Sequence, residues 1–217
     1  MTKIKICGIT REREIEYLNR LEPDYAGFVF YEKSKRNVNL SRAEKLLQTL
    51  SPDIQKVAVT VSPKREEIER IQSLGFDILQ VHKTLSAEVL DAAKIPVWYA
   101  ANIGDDETEE DFFRWRSTLS AALREKITGI LCDAPDFGSG KTFDWSKKDP
   151  FSKMKQDRTL TKILAGGLDP QNVGDGIRRF HPDAVDVSSG VEGSDGKEEE
   201  KISAFIQAVK EADRRLL

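Results

Sequence analysis

Short runs rich in valine and isoleucine alternate along the chain with longer stretches in which apolar residues recur every three or four positions. The first pattern predicts strands and the second amphipathic helices. Strands are predicted over 3–9, 25–31, 56–61, 78–83, 95–103, 129–134, 162–167 and 184–189. In the last helical stretch Ile202, Phe205, Ile206, Val209 and Ala212 form one stripe, and shorter stripes occur at Leu46, Leu47 and Leu50 and at Ile68, Ile71 and Leu74. Such stripes suit helices laid against a sheet. Ser41-Arg-Ala-Glu44 reads as a capping box, while Ser62-Pro63 and Asp169-Pro170 each read as an N-cap before a proline at the first helical position. Strands follow one another at roughly 17–34 residues, enough for the crossover that a parallel pair requires.

Eight strand–helix units close a (β/α)8, or TIM, barrel, here a single domain over 1–217. A doubly wound open sheet shares the alternation, but its strands are usually apolar on both faces. Here Lys5, Gln80, His82, Asp133 and Asp186 recur on the face that would line a barrel, mostly near the C-terminal strand ends. Side chains on a strand alternate between faces. Cys7 therefore points away from Ile4 and Ile6, and Asp133 shares a face with Leu131 rather than with Ile130 and Cys132. If both strands belong to one barrel, Cys7 and Asp133 meet at its mouth as a potential base and acid. Taken singly, a strand-end cysteine is more often an inert small hydrophobe than a base, and Asp133 is equally a helix cap. His82 is as well explained by a satisfied core position, and His181, between Phe180 and Pro182, by a loop.

The 217 residues are 39% apolar, enough for a real core. With 34 basic against 37 acidic residues and only short runs such as Lys197-Glu-Glu-Glu-Lys201, charge offers no reason to expect nucleic acid or an acidic membrane as a partner. No apolar run approaches bilayer length, and the N-terminus runs straight into strand pattern without a signal-peptide layout, so a cytoplasmic protein is expected. Cys7 and Cys132 are read as free thiols.

The glycines divide into two groups. Pro135-Asp-Phe-Gly-Ser-Gly-Lys-Thr142 superficially matches a nucleotide-binding P-loop, yet proline stands where the first glycine belongs and no helical periodicity follows Thr142. It reads better as a loop folding over substrate, hinged at Gly138 and Gly140. Gly166 and Gly167 end strand seven, and Ser188, Ser189 and Gly190 end strand eight, the strands whose loops often hold phosphate in a barrel. Glycine lets backbone N–H groups approach an anion, and a short helix near Ser189 adds its dipole. Tight turns with positive φ would also explain these glycines. A small phosphorylated ligand is the expectation.

Taken together, Lys5-Ile-Cys-Gly-Ile-Thr10, Gly27-Phe-Val-Phe30, Ser34-Lys-Arg36, Gln80-Val-His82, Gly138-Ser-Gly-Lys-Thr-Phe-Asp-Trp145, Ala165-Gly-Gly-Leu168 and Val185-Asp-Val-Ser-Ser-Gly-Val-Glu192 give a chain that resembles the phosphoribosylanthranilate isomerases of tryptophan biosynthesis over nearly its whole length. The resemblance implies an Amadori rearrangement of N-(5-phosphoribosyl)anthranilate to 1-(2-carboxyphenylamino)-1-deoxyribulose 5-phosphate, without metal or organic cofactor. It assigns Asp133 as general acid and Cys7 as general base, Arg36 to the anthranilate carboxylate, and Asp186 and His82 to further substrate contacts. The task of Cys7 leads us to expect positive potential lowering its pKa, and that of Asp133 a raised one. Departures from the family pattern are Lys35 in place of proline, Lys83 and Phe137 in place of glycines, and Thr60 and Ser62 where phenylalanine and asparagine are usual. A monomer is expected, with a homodimer as the alternative. Two other readings compete: another phosphosugar isomerase or epimerase on the same barrel, and a phosphate-ligand binding protein without turnover.

Overall fold

A computed structural model describes residues 1–102, 106–133, 149–151 and 159–216. Eight parallel strands, β1 (Lys3–Cys7), β2 (Tyr25–Phe30), β3 (Gln55–Val61), β4 (Ile78–His82), β5 (Val97–Asn102), β6 (Ile127–Asp133), β7 (Thr161–Leu164) and β8 (Ala184–Val187), pair in sequence order. The ring closes where β8 pairs with β1, in the register Lys5 to Asp186. Around it lie α1 (Glu12–Leu21), α2 (Leu40–Leu47), α3 (Arg65–Gln72), α4 (Ala87–Ala92), α5 (Asp106–Thr118), α6 (Ala121–Glu125), α7 (Val173–Phe180) and α8 (Glu199–Arg214). A small antiparallel hairpin, β9 (Glu192–Gly193) and β10 (Gly196–Lys197), follows β8. The TIM barrel expected from the pattern is present, with strands generally shorter at their C-terminal ends than predicted. No helix among the described residues is long and apolar enough to cross a membrane.

Strand parity divides the apolar residues into two cores. Ile4, Ile6, Ile130, Cys132, Val185 and Val187 face outward and pack beneath the helices, where α8 contributes Ile202, Phe205, Ile206, Val209 and Ala212. Burying each of the larger of these side chains contributes about 1.5–3 kcal/mol. Inside the barrel, Tyr25, Val57, Ile78, Trp98, Leu131, Ile163 and Ala184 form a separate cluster. Tyr25 and Trp98 meet edge to face at 5.1 Å, a favoured aromatic geometry. Gly129 makes room for the indole, because a Cβ there would lie 2.6 Å from Trp98 Cδ1.

The lower rim is stitched by a repeated device. Asp24, Asp77 and Asp183 stand immediately before β2, β4 and β8, and their carboxylates accept the first free N–H groups of the preceding strands, from Ile4, Lys56 and Lys162, at 2.7–2.8 Å. These donors would otherwise lack a ladder partner.

Two of the three predicted helix starts need correction. Asn39, not Ser41, caps α2, its side chain accepting from Arg42 N–H at 2.8 Å. The asparagine, two residues upstream of the serine, captures that orphan N–H. Ser62 has φ of 45° and does not cap; α3 begins after Lys64, whose N–H is accepted by Glu67. The Asp169 side chain does accept from Gln171 and Asn172 N–H, but it caps a turn that feeds α7, which starts at Val173.

Candidate active site

Three inward-facing strands change character toward their C-terminal ends. On β6 the inward series is Gly129, Leu131, Asp133; on β4 it is Ile78, Gln80, His82; on β8 it is Ala184, Asp186. β1 supplies Lys5 and Cys7. A cavity of about 340 Å³ opens above them, lined by Cys7, Gln80, His82, Asp133 and Asp186, by Val29, Val59 and Val61, by Tyr31 and Lys33 to Arg36 of the loop after β2, by Ala165 to Leu168 after β7, and by Ser188 and Ser189 after β8. Each residue expected at the site lines this space except Gly190.

Gly190 lies in the short 3-10 helix Ser189–Val191. It stands against the neighbouring loop: a Cβ on it would fall 2.0 Å from the Leu168 carbonyl oxygen. Gly166 and Gly167 have φ of 87° and 63°, so the turn explanation holds for them together with their position on the cavity wall. The segment 135–142, with Gly138 and Gly140, lies outside the described residues.

Lys5 is wholly buried and donates to Asp186 Oδ1 at 2.9 Å. Burial works against its charge, but Asp186 and Cys7 outweigh that and raise its pKa above the ordinary lysine value. Gly27, opposite Cys7 on β2, keeps the space tight: a Cβ there would meet Cys7 Sγ at 2.8 Å and Lys5 Cε at 3.2 Å. The expected lowering of the Cys7 pKa is not found. Burial pushes the thiol up, the Lys5 ammonium pulls it back only in part, and Asp186 adds to the rise. Positive charge is present as expected; desolvation exceeds it. Burial, followed by the Lys5 charge, drives His82 down to about 3, so its ring is neutral, and its Nε2 lies 2.8 Å from Gln80 Nε2.

A second charged group stands at the rim. Arg36 binds Glu192 through Nε and Nη2 at 2.5 and 2.9 Å, and Lys197 Nζ reaches the same carboxylate at 2.8 Å. Burial opposes the Glu192 charge, yet these two cations hold its pKa at about 2. Sequence reading missed Lys197, because a lysine opening a run of glutamates looks like a solvated face, whereas its side chain is fully buried. Glu192 stands out in the sequence only as the last residue of the Val185–Glu192 motif. Among the departures, Thr60 points out of the barrel to Gln80 O, Val61 takes the cavity position, and Lys83 has φ of 61°, a conformation that glycine adopts without cost. Among the described residues, no three His, Cys, Asp or Glu side chains cluster as a metal site would require.

A closed (β/α)8 barrel with a thiol, a carboxyl group and glycine-rich loops around one cavity at its C-terminal mouth defines a TIM-barrel enzyme site. Comparison with known proteins narrows the class. The sequence model for N-(5′-phosphoribosyl)anthranilate isomerase matches residues 4–208. The isomerase of Clostridium acetobutylicum is 41% identical over 220 residues, covering 97% of this chain and 98% of that one. The crystal structure of the Thermotoga maritima enzyme superposes with a TM-score of 0.81 at 34% identity, covering 97% of this chain and all of that one. A related structure, solved in complex with reduced 1-(o-carboxyphenylamino)-1-deoxyribulose 5-phosphate, gives 0.79 at 32% identity, covering 97% of this chain and all of that one. The chain therefore belongs to the N-(5′-phosphoribosyl)anthranilate isomerase family, whose members serve tryptophan biosynthesis.

Proposed function

We propose that this barrel catalyses the Amadori rearrangement of N-(5-phosphoribosyl)anthranilate with Asp133 as general acid and Cys7 as general base. The observation that carries the reading is that both side chains line one cavity, each on the inward face at the C-terminal end of its strand. Asp133 protonates the furanose ring oxygen as the C1–O bond breaks and the anthranilate nitrogen pushes in its lone pair, giving a protonated Schiff base. Cys7 then removes the proton from C2, and the electron pair moves into the C1–C2 bond to give an enolamine. Tautomerisation leaves the C2 ketone. Atoms and electrons balance within the substrate, so the reaction consumes no co-reactant.

The raised pKa of the Cys7 thiol makes its thiolate scarce but more basic. The cationic Schiff base is the partner that favours forming that thiolate, with the Lys5 ammonium beside it. Arg36 binds the anthranilate carboxylate, and Asp186 and His82 contact the substrate further. The loops of Gly166, Gly167, Ser188, Ser189 and Gly190 hold the phosphate. The complex of the related enzyme with a reduced product supports a small phosphorylated ligand of this class. No cofactor takes part, and one domain over residues 1–217, monomeric and cytoplasmic, carries the activity.

The direct test generates phosphoribosylanthranilate in EDTA-treated buffer and follows its fluorescence after adding purified protein. Loss of fluorescence with formation of the ribulose product supports the reading. A stable signal at micromolar protein, or activity on other phosphosugars only, overturns it.

A further inference from the structure

Glu192 and Lys197 have no part in the chemistry above, yet both are placed with care. The β9–β10 register sets them directly opposite one another. Lys197 Nζ also donates to Ser188 O at 2.9 Å and lies 3.1 Å from Ser188 Oγ, and that hydroxyl donates to the Cys7 carbonyl at 2.9 Å. The Glu192 carboxylate thus binds Arg36 and Lys197, and Lys35 Nζ stands 3.2 Å from its other oxygen. Three cations on one anion leave a surplus of positive charge at the rim of a cavity expected to receive an anion.

The geometry of the Arg36 contact is informative. A guanidinium offers two edges that match a carboxylate: the side edge of Nε and one Nη, and the terminal edge of both Nη atoms. Glu192 takes the side edge. Nη1 makes no hydrogen bond among the described residues, and Arg36 lines the cavity. The stem of the arginine is fixed as well. It lies flat on Gly8, where a Cβ would fall 2.4 Å from Arg36 Cδ. A buried ion pair is in general a weak source of stability, so holding the fold together is a poor explanation for this arrangement.

We infer that Glu192, itself held by Lys197, is a positioning residue that occupies the side edge of Arg36 and thereby aims the terminal edge at the substrate's aryl carboxylate, making the site selective for an ortho-carboxylated aryl amine. The inference rests on the proposed pairing of Arg36 with that carboxylate.

The test measures, by calorimetry, binding of reduced 1-(o-carboxyphenylamino)-1-deoxyribulose 5-phosphate and of the same compound lacking the carboxylate. The unsubstituted protein should prefer the carboxylated analogue by about tenfold to hundredfold, the range expected of a charge-assisted pair. Arg36→Ala should erase that preference. Glu192→Gln should lose most of it while binding the des-carboxy analogue within about twofold of the original affinity, and with the true substrate its KM should rise more than its kcat falls. Should Glu192→Gln fail to fold because Lys197 is stranded, the Glu192→Gln/Lys197→Met double variant removes the stranded charge and is read the same way. Full preference retained in the Glu192 variant but lost in Arg36→Ala overturns the inference and leaves the Arg36 assignment standing. Equal weakening toward both analogues marks a structural role and also overturns it. Preference retained in Arg36→Ala overturns the underlying assignment itself.

Discussion

The floor and the mouth of the barrel are built from the same strands and share little else. On β6 the inward face passes from Gly129 and Leu131 to Asp133, and on β4 from Ile78 to Gln80 and His82. The floor is apolar, packed around Tyr25 and Trp98, and closed below by the three aspartates that accept strand-end N–H groups. At the mouth, ionised side chains stand in or against the inner wall, where burial makes each one costly unless it is paired. Stability and chemistry are thus separated by height along a strand, and a substitution is expected to affect one or the other according to the level at which it falls.

The largest expected effect lies at the mouth. Cys7→Ala and Asp133→Asn should each lower kcat by about 10²–10⁴-fold, the range for losing a general acid or base, with thermal unfolding changed little. Steady-state kinetics beside calorimetric melting checks the pair. Gly129→Val is the converse experiment at the floor. The new side chain would collide with Trp98, and overpacking of this kind costs about 1–3 kcal/mol. Urea titration should show that loss, while turnover per folded molecule stays near the original.

A third experiment uses pH to ask whether the mouth weakens before the floor in acid. His82 is held neutral to about pH 3, whereas the same side chain in the unfolded chain takes up its proton near 6.5. The unfolded state therefore binds the extra proton between these values, so stability is complete above about 6.5 and falls as pH drops toward 3. Glu192, with a folded pKa of about 2 against an ordinary value of 4.5, adds a second loss below pH 4.5. His82→Gln should flatten melting temperature against pH between 6.5 and 3, and an unchanged slope would remove His82 as the cause. The smallest effect is a gain. Lys83, exposed and with φ of 61°, occupies a left-handed conformation that costs a non-glycine residue about 1–2 kcal/mol. Lys83→Gly should recover about 1 kcal/mol of stability in denaturant titration, after the entropic cost of glycine is subtracted.

Much of this division was legible in the sequence because strand parity is a local property. Alternation alone put Lys5, Cys7, Gln80, His82, Asp133 and Asp186 on the inward face, and all of them are there. The residues that escaped depend on contacts between distant segments. Lys197 is buried only because β9 and β10 pair and fold its ammonium onto Ser188 and Glu192. Gly27 and Gly129 matter only through what faces them across a neighbouring strand. The Cys7 shift runs opposite to the expected lowering for the same reason, since it is set by desolvation together with the charges of Lys5, Asp186 and Lys197, which come from three separate strands.

Catalysis as proposed requires Cys7 and Asp133 to converge on one ligand, and a crystal structure with reduced 1-(o-carboxyphenylamino)-1-deoxyribulose 5-phosphate tests that most directly. The prediction is a phosphate cradled between the loops after β7 and β8, the Asp133 carboxyl within about 3 Å of the oxygen that closed the furanose ring, and Cys7 Sγ facing C2 at contact distance. A ligand seated elsewhere, or one that touches only one of the two groups, would contradict it.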